Sequence, residues 1–307
     1  MPLRYVEMTA PDVTRLDRDE TVFFMPVSPI EVHGPHLPLG TDVMVAQEVQ
    51  RRVQARLALE HPEVTQVELP PLYAGSDALP APGSLSVQAE SLSRILLDYA
   101  RGLSSLGFKY LLISDNHGGP RHHLGIDHAA RKAWRKHGFH LIDPFIELYG
   151  RMVRLDPLLL STTGLSAGSC GDDSDSHAGT NETSLMLAVR GEDRNLADYE
   201  RLPASEPPAL GGLPRTLAGL GRVLAKTGAK NAGDDLGHLA RMLAWTGEKG
   251  FTPYLGAPAR ATREAGEAML SAHVDVALEL LRQAFAGESG LSAPQLGWLS
   301  FLRRLPE

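Results

Sequence analysis

The chain has 307 residues, of which 43% are hydrophobic and 22% charged, a composition typical of a globular protein with enough apolar side chains to build a core. Its formal net charge of −7 repels phosphate backbones and its aromatic content of 6% is too low for a base-stacking surface, so we expect no nucleic-acid partner. Every apolar run ends well before the roughly 18 residues that cross a bilayer, so no transmembrane helix is predicted.

Two further features bear on the compartment. The single cysteine, Cys170, cannot form an internal disulfide, which agrees with a reducing environment. The N-terminal residues carry charges too early for the apolar segment of a secretory signal. We therefore expect a cytoplasmic protein that has no membrane partner.

Strand and helix patterns alternate in the first half of the chain. The apolar run 21–30 predicts a buried strand that ends at a loop, and residues 42–60 carry apolar side chains at helical spacing. The same two patterns then repeat. Further strands are predicted at 64–72, 108–119 and 139–145, and further helices at 86–107 and 122–138. Such alternation indicates an α/β fold, in which helices cover both faces of a parallel sheet.

The second half is less regular. Residues 160–176 are turn formers and acidic residues, which predict a flexible loop leading into His177. Helices are predicted at 181–190 and 261–285. Residues 203–236 are rich in Pro, Gly and Ala and predict short helical pieces that wrap over the surface.

These patterns suggest one domain over residues 1–307. Within it we expect a peripheral insertion at 203–250, and the C-terminal tail 286–307 has no predicted structure. Ligands of parallel α/β sheets bind at loops that leave the carboxyl ends of strands. The polar turns at 31–42 and 114–119 both follow predicted strands, so we expect them to meet at one edge of the sheet.

The first of these turns contains the densest set of reactive side chains. Glu31, His33, His36 and Asp42 lie within twelve residues that Gly and Pro bend. Imidazole nitrogen and carboxylate oxygen suit Zn²⁺ or Mn²⁺, and one carboxylate can bridge two such ions. The alternative is a polar loop whose side chains form hydrogen bonds and cap the next helix.

Two more polar clusters follow later in the chain. Asp115 and His117 end a strong strand pattern and precede Gly118 and Gly119, which allow the backbone to approach a ligand closely. An ordinary turn with an incidental histidine is the alternative. The third cluster runs from His177 to Ser184 and places Glu182 in the first turn of a predicted helix, where helix capping is the simpler interpretation.

In this order the three clusters resemble the creatininase family of metal-dependent amidohydrolases. The likeness extends over about residues 20–285. It includes the turn Pro82–Ser84, whose Ser84 we count among the supporting residues, and the segment 256–259 before the last helix. The matched residues of the three clusters are Glu31, His33, Gly34, Pro35, His36, Leu37, Pro38, Thr41 and Asp42, then His117, Gly118 and Gly119, then His177, Ala178, Gly179, Glu182, Thr183 and Ser184.

This resemblance implies a three-layer α/β/α fold, a homo-oligomer, often a hexamer, and two divalent metal ions per chain, Zn²⁺ or alternatively Mn²⁺. Glu31, Asp42 and His117 would hold the first ion. His33, Asp42 and Glu182 would hold the second, so that Asp42 bridges the pair. His177 remains as the candidate catalytic residue that moves a proton to the leaving nitrogen. His36, Ser84, Asp115, Gly118 and Gly119 are candidates for supporting the ligands or contacting the substrate.

Several departures from the family concern the substrate. True creatinine hydrolases have a glutamate two residues after the second-cluster histidine, where this chain has Gly119. They also have a Trp where this chain has Asp173. We therefore expect a hydrolase of small-molecule C–N bonds other than ordinary peptide bonds, in a cyclic or linear amide that is not creatinine.

Three alternatives stay open at this point. One is another hydrolase of the family, acting on a cyclic polyol ketone, a formylated nucleotide precursor or a peptide. A second is a metal-dependent sugar isomerase or lyase. The third is a catalytically silent scaffold, which is disfavoured because all five candidate ligands are present.

Overall fold

The computed structural model describes residues 2–190, 196 and 198–305, and the last two residues of the predicted tail lie outside this range. A six-stranded sheet forms its centre, with the order β1-β3-β2-β5-β6 and β4 paired to the end of β2. Every strand pair described is parallel. The strands are β1 (Leu3–Arg4), β2 (Thr21–Ser28), β3 (Thr65–Glu68), β4 (Leu72–Tyr73), β5 (Tyr110–Ser114) and β6 (His140–Ile142).

Helices connect and cover these strands. Those in the described residues are α1 (Ala10–Arg15), α2 (Thr41–Glu60), α3 (Ala89–Ser105), α4 (Pro120–His137), α5 (Pro144–Val153), α6 (Pro157–Thr163), α7 (Thr180–Arg190), α8 (Gly212–Lys226), α9 (Lys230–Thr246) and α10 (Arg263–Phe285). None of the helices in the described residues is long and apolar enough to cross a membrane. The tail contains a 3-10 helix at Gly297–Arg304.

Strand β2 divides the core into two halves because successive side chains of a strand point to opposite faces. Val22 and Phe24 pack with apolar residues of α2, α7 and α10. Phe23 and Met25 pack on the other face with residues of α3 and α4. All four are fully buried or nearly so. The predicted three-layer α/β/α architecture is therefore confirmed.

The segment 203–236 differs from its prediction. In place of short pieces the chain forms α8 and the first two turns of α9, and these two helices pack against each other as a helical hairpin. Gly221 and Gly233 lie where the two helices cross: a Cβ on Gly221 would be 2.6 Å from the carbonyl oxygen of Gly233. The glycines that suggested interrupted helices instead permit close helix packing.

The loop predicted at 160–176 is also shorter than expected, because α6 occupies Pro157–Thr163 and is capped by Asp156, whose side chain accepts hydrogen bonds from two backbone N–H groups. From residue 164 the chain continues as turns to α7. The loops after β2 and β5 lie at neighbouring positions of the sheet, since these two strands are paired. Their polar residues thus reach one common edge.

Candidate metal centre

Two groups of three side chains each lie at this edge, and they share Asp42. Within each group the candidate ligand atoms all lie within 4.8 Å of one another. All five residues are buried. The first group is Glu31, Asp42 and His117, and the second is His33, Asp42 and Glu182. The structure thus brings together the five ligands implied by the family resemblance, and we call these five residues the candidate metal centre.

The loop that carries Glu31 and His33 is held from several sides. The backbone N–H of Glu31 donates to the Leu39 carbonyl at 2.9 Å, and one oxygen of its carboxylate accepts from the backbone N–H of Leu79 at 2.6 Å. Gly34, at φ +62°, donates its N–H to the Pro253 carbonyl at 2.7 Å. The loop then leads into α2, which places Asp42 in the first helical turn. Both ends of the loop are therefore fixed by the fold.

Hydrogen bonds set the tautomers of both histidines. His33 Nδ1 lies 3.0 Å from the Glu31 carbonyl oxygen, and His117 Nε2 lies 2.9 Å from the Ser76 carbonyl oxygen. A carbonyl only accepts, so each of these nitrogens donates its N–H. His33 Nε2 and His117 Nδ1 are left facing the carboxylates, at 3.3 Å from Asp42 and 3.0 Å from Glu31. This is the usual arrangement of metal-binding histidines.

The centre also contains buried polar atoms that have no hydrogen-bond partner, namely Glu31 Oε2, His33 Nε2 and Asp42 Oδ2. Buried polar groups are normally paired because desolvation without a partner costs free energy. These three atoms belong to the two ligand groups and are of the types that Zn²⁺ and Mn²⁺ bind. The residues present therefore fit a pair of divalent cations.

Electrostatics in the metal-free protein agree with this arrangement. Burial alone would lower the pKa of His33, but the neighbouring carboxylates of Asp42 and Glu182 raise it to about 10. Burial alone would raise the pKa of Asp42, but His33 and His117 hold it well below its usual range. Glu31 and Asp42 thus retain negative charge and draw positive charge to the histidines, whereas burial raises the pKa of Glu182. A metal cation would supply the same positive charge.

His177 lies beside the second group. Its Nε2 donates to the Val32 carbonyl at 2.7 Å, which leaves Nδ1 facing Glu182 at 3.8 Å. Its ring lies 4.4 Å from that of His33, centroid to centroid. Glu31, His33 and His177 also form a third group with metal-binding geometry. The free Nδ1 therefore suits either proton transfer or ligation.

The start of α7 positions Glu182. Asp175 accepts hydrogen bonds from the backbone N–H groups of Thr180 and Asn181, which caps the helix. Glu182 Oε2 accepts from the Ala178 N–H at 2.5 Å, and its carboxylate points back toward the loop before the helix. The Glu182 carboxylate can therefore accept this backbone hydrogen bond and still bind a metal ion through its other lone pairs.

The supporting residues have distinct contacts. His36 Nε2 pairs with the Thr183 hydroxyl at 2.9 Å, and burial lowers the pKa of His36 to about 4, so its ring is neutral. Ser84 accepts the Val32 N–H at 3.0 Å. The space beside the two glycines is filled by protein: a Cβ on Gly118 would lie 2.7 Å from the Tyr149 ring, and one on Gly119 would lie 2.4 Å from His117 Nε2.

Asp115 forms a separate group next to the centre, which we call the Asp115 cluster: Ser28, Asp115 and His122. One carboxylate oxygen accepts from the Ser28 hydroxyl at 2.5 Å and from the backbone N–H groups of Asn116 and His117. The other lies 2.9 Å from His122 Nε2. His122 Nδ1 accepts the Ser76 N–H at 3.3 Å, so Nε2 carries the proton. Asp115 thus fixes the turn that carries His117.

The sequence patterns did not single out three residues of the site. Asn116 Nδ2 lies 3.3 Å from Asp42 and 3.4 Å from Glu182, and its place between two selected residues was the available signal. Trp245 of α9 packs against the His177 ring at 5.9 Å, and Tyr149 of α5 packs on Gly118. Neither lies near a motif, so only the folded chain reveals them.

Comparisons with known proteins show which family this chain resembles. A protein-family model described as creatinine amidohydrolase, or creatininase, matches residues 6–281. The mycofactocin precursor peptide peptidase of Mycobacterium ulcerans (strain Agy99) is 31% identical over 176 residues, which are 55% of this chain and 58% of that relative. The creatinine amidohydrolase of Pseudomonas putida is 29% identical over 201 residues, 63% of this chain and 74% of that protein. The match therefore spans less than two thirds of the peptidase relative's length.

Solved creatininase structures have the same fold. A mutant creatininase of the "Zn-Zn type" superposes with a TM-score of 0.62 at 21% identity, covering 93% of this chain and 99% of its own. A structure described as "Creatininase Mn" gives a TM-score of 0.60 at 21% identity with the same coverage. At this identity the likeness establishes the shared fold alone.

Proposed function

This chain belongs to the creatininase family, a family of hydrolytic amidohydrolases, and we propose that it is a two-metal hydrolase that cleaves an amide bond. The observation that carries the proposal is the pair of three-ligand groups joined by Asp42. The two groups give each ion both imidazole and carboxylate ligands, and three of these ligand atoms are buried without a hydrogen-bond partner. The zinc and manganese forms of solved creatininases support the same choice of ions.

Each residue has a defined part in this reaction. When bound, two such cations would lower the pKa of water toward about 7, so that hydroxide is available at neutral pH, and would polarise the carbonyl oxygen. Asp42 holds the two ligand groups at a fixed separation. His177, whose Nε2–H is anchored on Val32, presents Nδ1 to the site and carries a proton from the attacking water to the leaving nitrogen.

The substrate we propose is an amide other than creatinine. Gly119 and Asp173 stand where creatinine hydrolases have Glu and Trp. The space beside Gly119 is occupied by His117 Nε2 and the Ser76 carbonyl, so no longer side chain fits at that position without a rearrangement. A pocket made for creatinine would therefore need residues that this chain does not have.

A peptide is the second candidate substrate, and two observations favour it. The relative with 31% identity is named a peptidase. In addition, Leu39, Tyr73 and Leu85 are 41%, 55% and 65% exposed on the segments that flank the Glu31 loop. Exposed apolar side chains of this size suit contact with an extended chain better than with a small ring.

Product analysis by mass spectrometry tests the proposal. The zinc-loaded protein is incubated separately with cyclic amides, linear amides, creatinine and short peptides. Amide cleavage adds the elements of water, about 18 Da, divided between two products or retained in an opened ring. We expect turnover of an amide or peptide and none of creatinine. A product of unchanged mass would instead identify an isomerase.

A further inference from the structure

One face of α9 is turned toward the body of the protein and carries buried polar groups. Asp235, His238, Met242 and Trp245 follow one another at helical spacing. Asp235 and His238 are 4% and 2% exposed. The Asp235 carboxylate is held by Arg154 at 3.2 Å and by the backbone N–H of Leu296 at 2.9 Å. The helical hairpin is thus attached through specific polar contacts.

His238 is the central contact of this face. Its Nδ1 donates to the carboxylate of Asp173, which is also paired with Arg241. Its Nε2 lies 3.0 Å from the Tyr149 hydroxyl. Asp173 belongs to the loop before α7, whereas Tyr149 belongs to α5. One buried imidazole therefore joins three separate parts of the chain.

Tyr149 extends this chain of contacts to the candidate metal centre. Its ring fills the space beside Gly118: a Cβ there would lie 2.7 Å from the ring and 2.9 Å from the hydroxyl oxygen. Gly118 directly follows His117, the candidate ligand from the β5 turn. Burial and, to a smaller extent, the negative charges of Asp173, Glu182 and Glu31 raise the pKa of Tyr149. Its hydroxyl therefore stays protonated and can only form hydrogen bonds.

We propose that Asp173, His238 and Tyr149 form a positioning relay through which the helical hairpin fixes the turn that carries His117. This inference rests on the proposed function and assigns positioning roles to three further residues. Asp173 orients the His238 ring, His238 holds the Tyr149 hydroxyl, and the Tyr149 ring limits movement of Gly118. A shift of this turn would move His117 Nδ1 relative to Glu31 and Asp42 and so alter the geometry of the first metal group.

Two relay variants and two controls test this role. Tyr149→Phe keeps the ring on Gly118 and removes only the hydroxyl, and His238→Ala disconnects the hairpin. Lys230→Ala removes an exposed side chain of the same helix, which forms a pair with Asp234. Asp235→Asn weakens a buried attachment of α9 that lies outside the relay. Each protein is loaded with Co²⁺, and the visible absorption spectrum reports the ligand geometry without any substrate.

We expect both relay variants to bind as much Co²⁺ as the wild type but to change its spectrum. With the amide identified by product analysis, kcat should fall about tenfold to a hundredfold while KM changes little, as expected when reacting groups are misplaced by about 1 Å. Adding His238→Ala to Tyr149→Phe should produce little further loss, since both changes break one chain of contacts. Asp235→Asn should lower Tm without changing the spectrum, and Lys230→Ala should change neither.

Relay variants with the wild-type spectrum and kcat would overturn the relay alone. Independent, multiplying effects of Tyr149→Phe and His238→Ala would also overturn it. A wild-type protein that binds no Co²⁺ or Zn²⁺ would instead contradict the proposed function, and the relay with it.

Discussion

The candidate metal centre and the Asp115 cluster lie side by side at one edge of the sheet, and in both of them buried carboxylates face imidazoles. In the Asp115 cluster one carboxylate faces one imidazole, and both carboxylate oxygens accept hydrogen bonds. In the centre three carboxylates face two imidazoles, and one atom each of Glu31, His33 and Asp42 has no hydrogen-bond partner.

The difference shows how a binding group can be distinguished from a structural one. Both regions contain buried carboxylates and imidazoles, but they differ in the ratio of carboxylates to imidazoles and in whether every polar atom has a hydrogen-bond partner. A carboxylate that has all its partners stabilises the fold. Carboxylates in excess, with unpaired atoms, need a cation. The substitutions below should therefore change function in one region and stability in the other.

The largest effect is expected from His33→Ala. It removes the Nε2 ligand of the second metal group, so hydrolysis should fall below detection and bound zinc should drop. Without zinc the variant also lacks the positive charge that Asp42 and Glu182 stabilise on His33, so we expect it to remain folded but with a lower Tm. Zinc content, hydrolytic activity and thermal unfolding followed by circular dichroism measure these effects. His137→Ala, at an exposed histidine, is the matched control. Full zinc content in His33→Ala would contradict its role as a ligand.

His177→Ala separates catalysis from metal binding. With both ligand groups intact, the variant should retain its zinc, and kcat should fall about 10²–10⁴-fold, the usual contribution of general acid–base catalysis. Steady-state kinetics and zinc content are measured on the same preparation. If zinc is lost, His177 is a ligand, in line with the third group that it forms with Glu31 and His33.

Asp115→Ala should act mainly on stability. It leaves the buried donors of Ser28, His122 and two backbone groups without their acceptor, and breaking such a buried pair costs about 3–5 kcal/mol. Asp115→Asn keeps one acceptor oxygen but turns an amide toward the His122 N–H, so we expect a smaller loss of about 1–3 kcal/mol. Urea unfolding of the metal-free proteins measures both. Equal stability of Asp115→Ala and wild type would remove the distinction between the regions.

The smallest effect concerns pH. Because the folded, metal-free protein raises the pKa of His33 from 6.5 to about 10, the proton on His33 stabilises it below pH 6.5, and this stability is lost as pH rises toward 10. Zinc replaces that proton, so its binding should release protons at pH 7 and strengthen with pH. Calorimetry in two buffers of different ionisation enthalpy measures the release. An uptake of protons would contradict this assignment.

Sequence patterns were sufficient to predict those parts of the candidate site whose residues lie in continuous segments of the chain. The Glu31–Asp42 loop and the β5 turn follow strands that the hydrophobic pattern predicts, and parallel pairing of β2 with β5 then brings them together. The hairpin was missed because Gly and Pro suggested short helices, whereas Gly221 and Gly233 serve as packing positions. Tyr149 and His238 meet across 89 residues of sequence, a contact that no local pattern encodes.

Asp42 is the residue that both ligand groups share, so the metal content of the wild type and of Asp42→Ala is the measurement that decides whether the centre binds two ions. Plasma mass spectrometry is carried out after incubation with Zn²⁺ or Mn²⁺ and removal of excess metal, with Asp115→Asn as the matched carboxylate control. We expect close to two ions per chain in the wild type and the control, and loss of both in Asp42→Ala. Metal at background level in the wild type, or two ions retained in Asp42→Ala, would contradict this expectation.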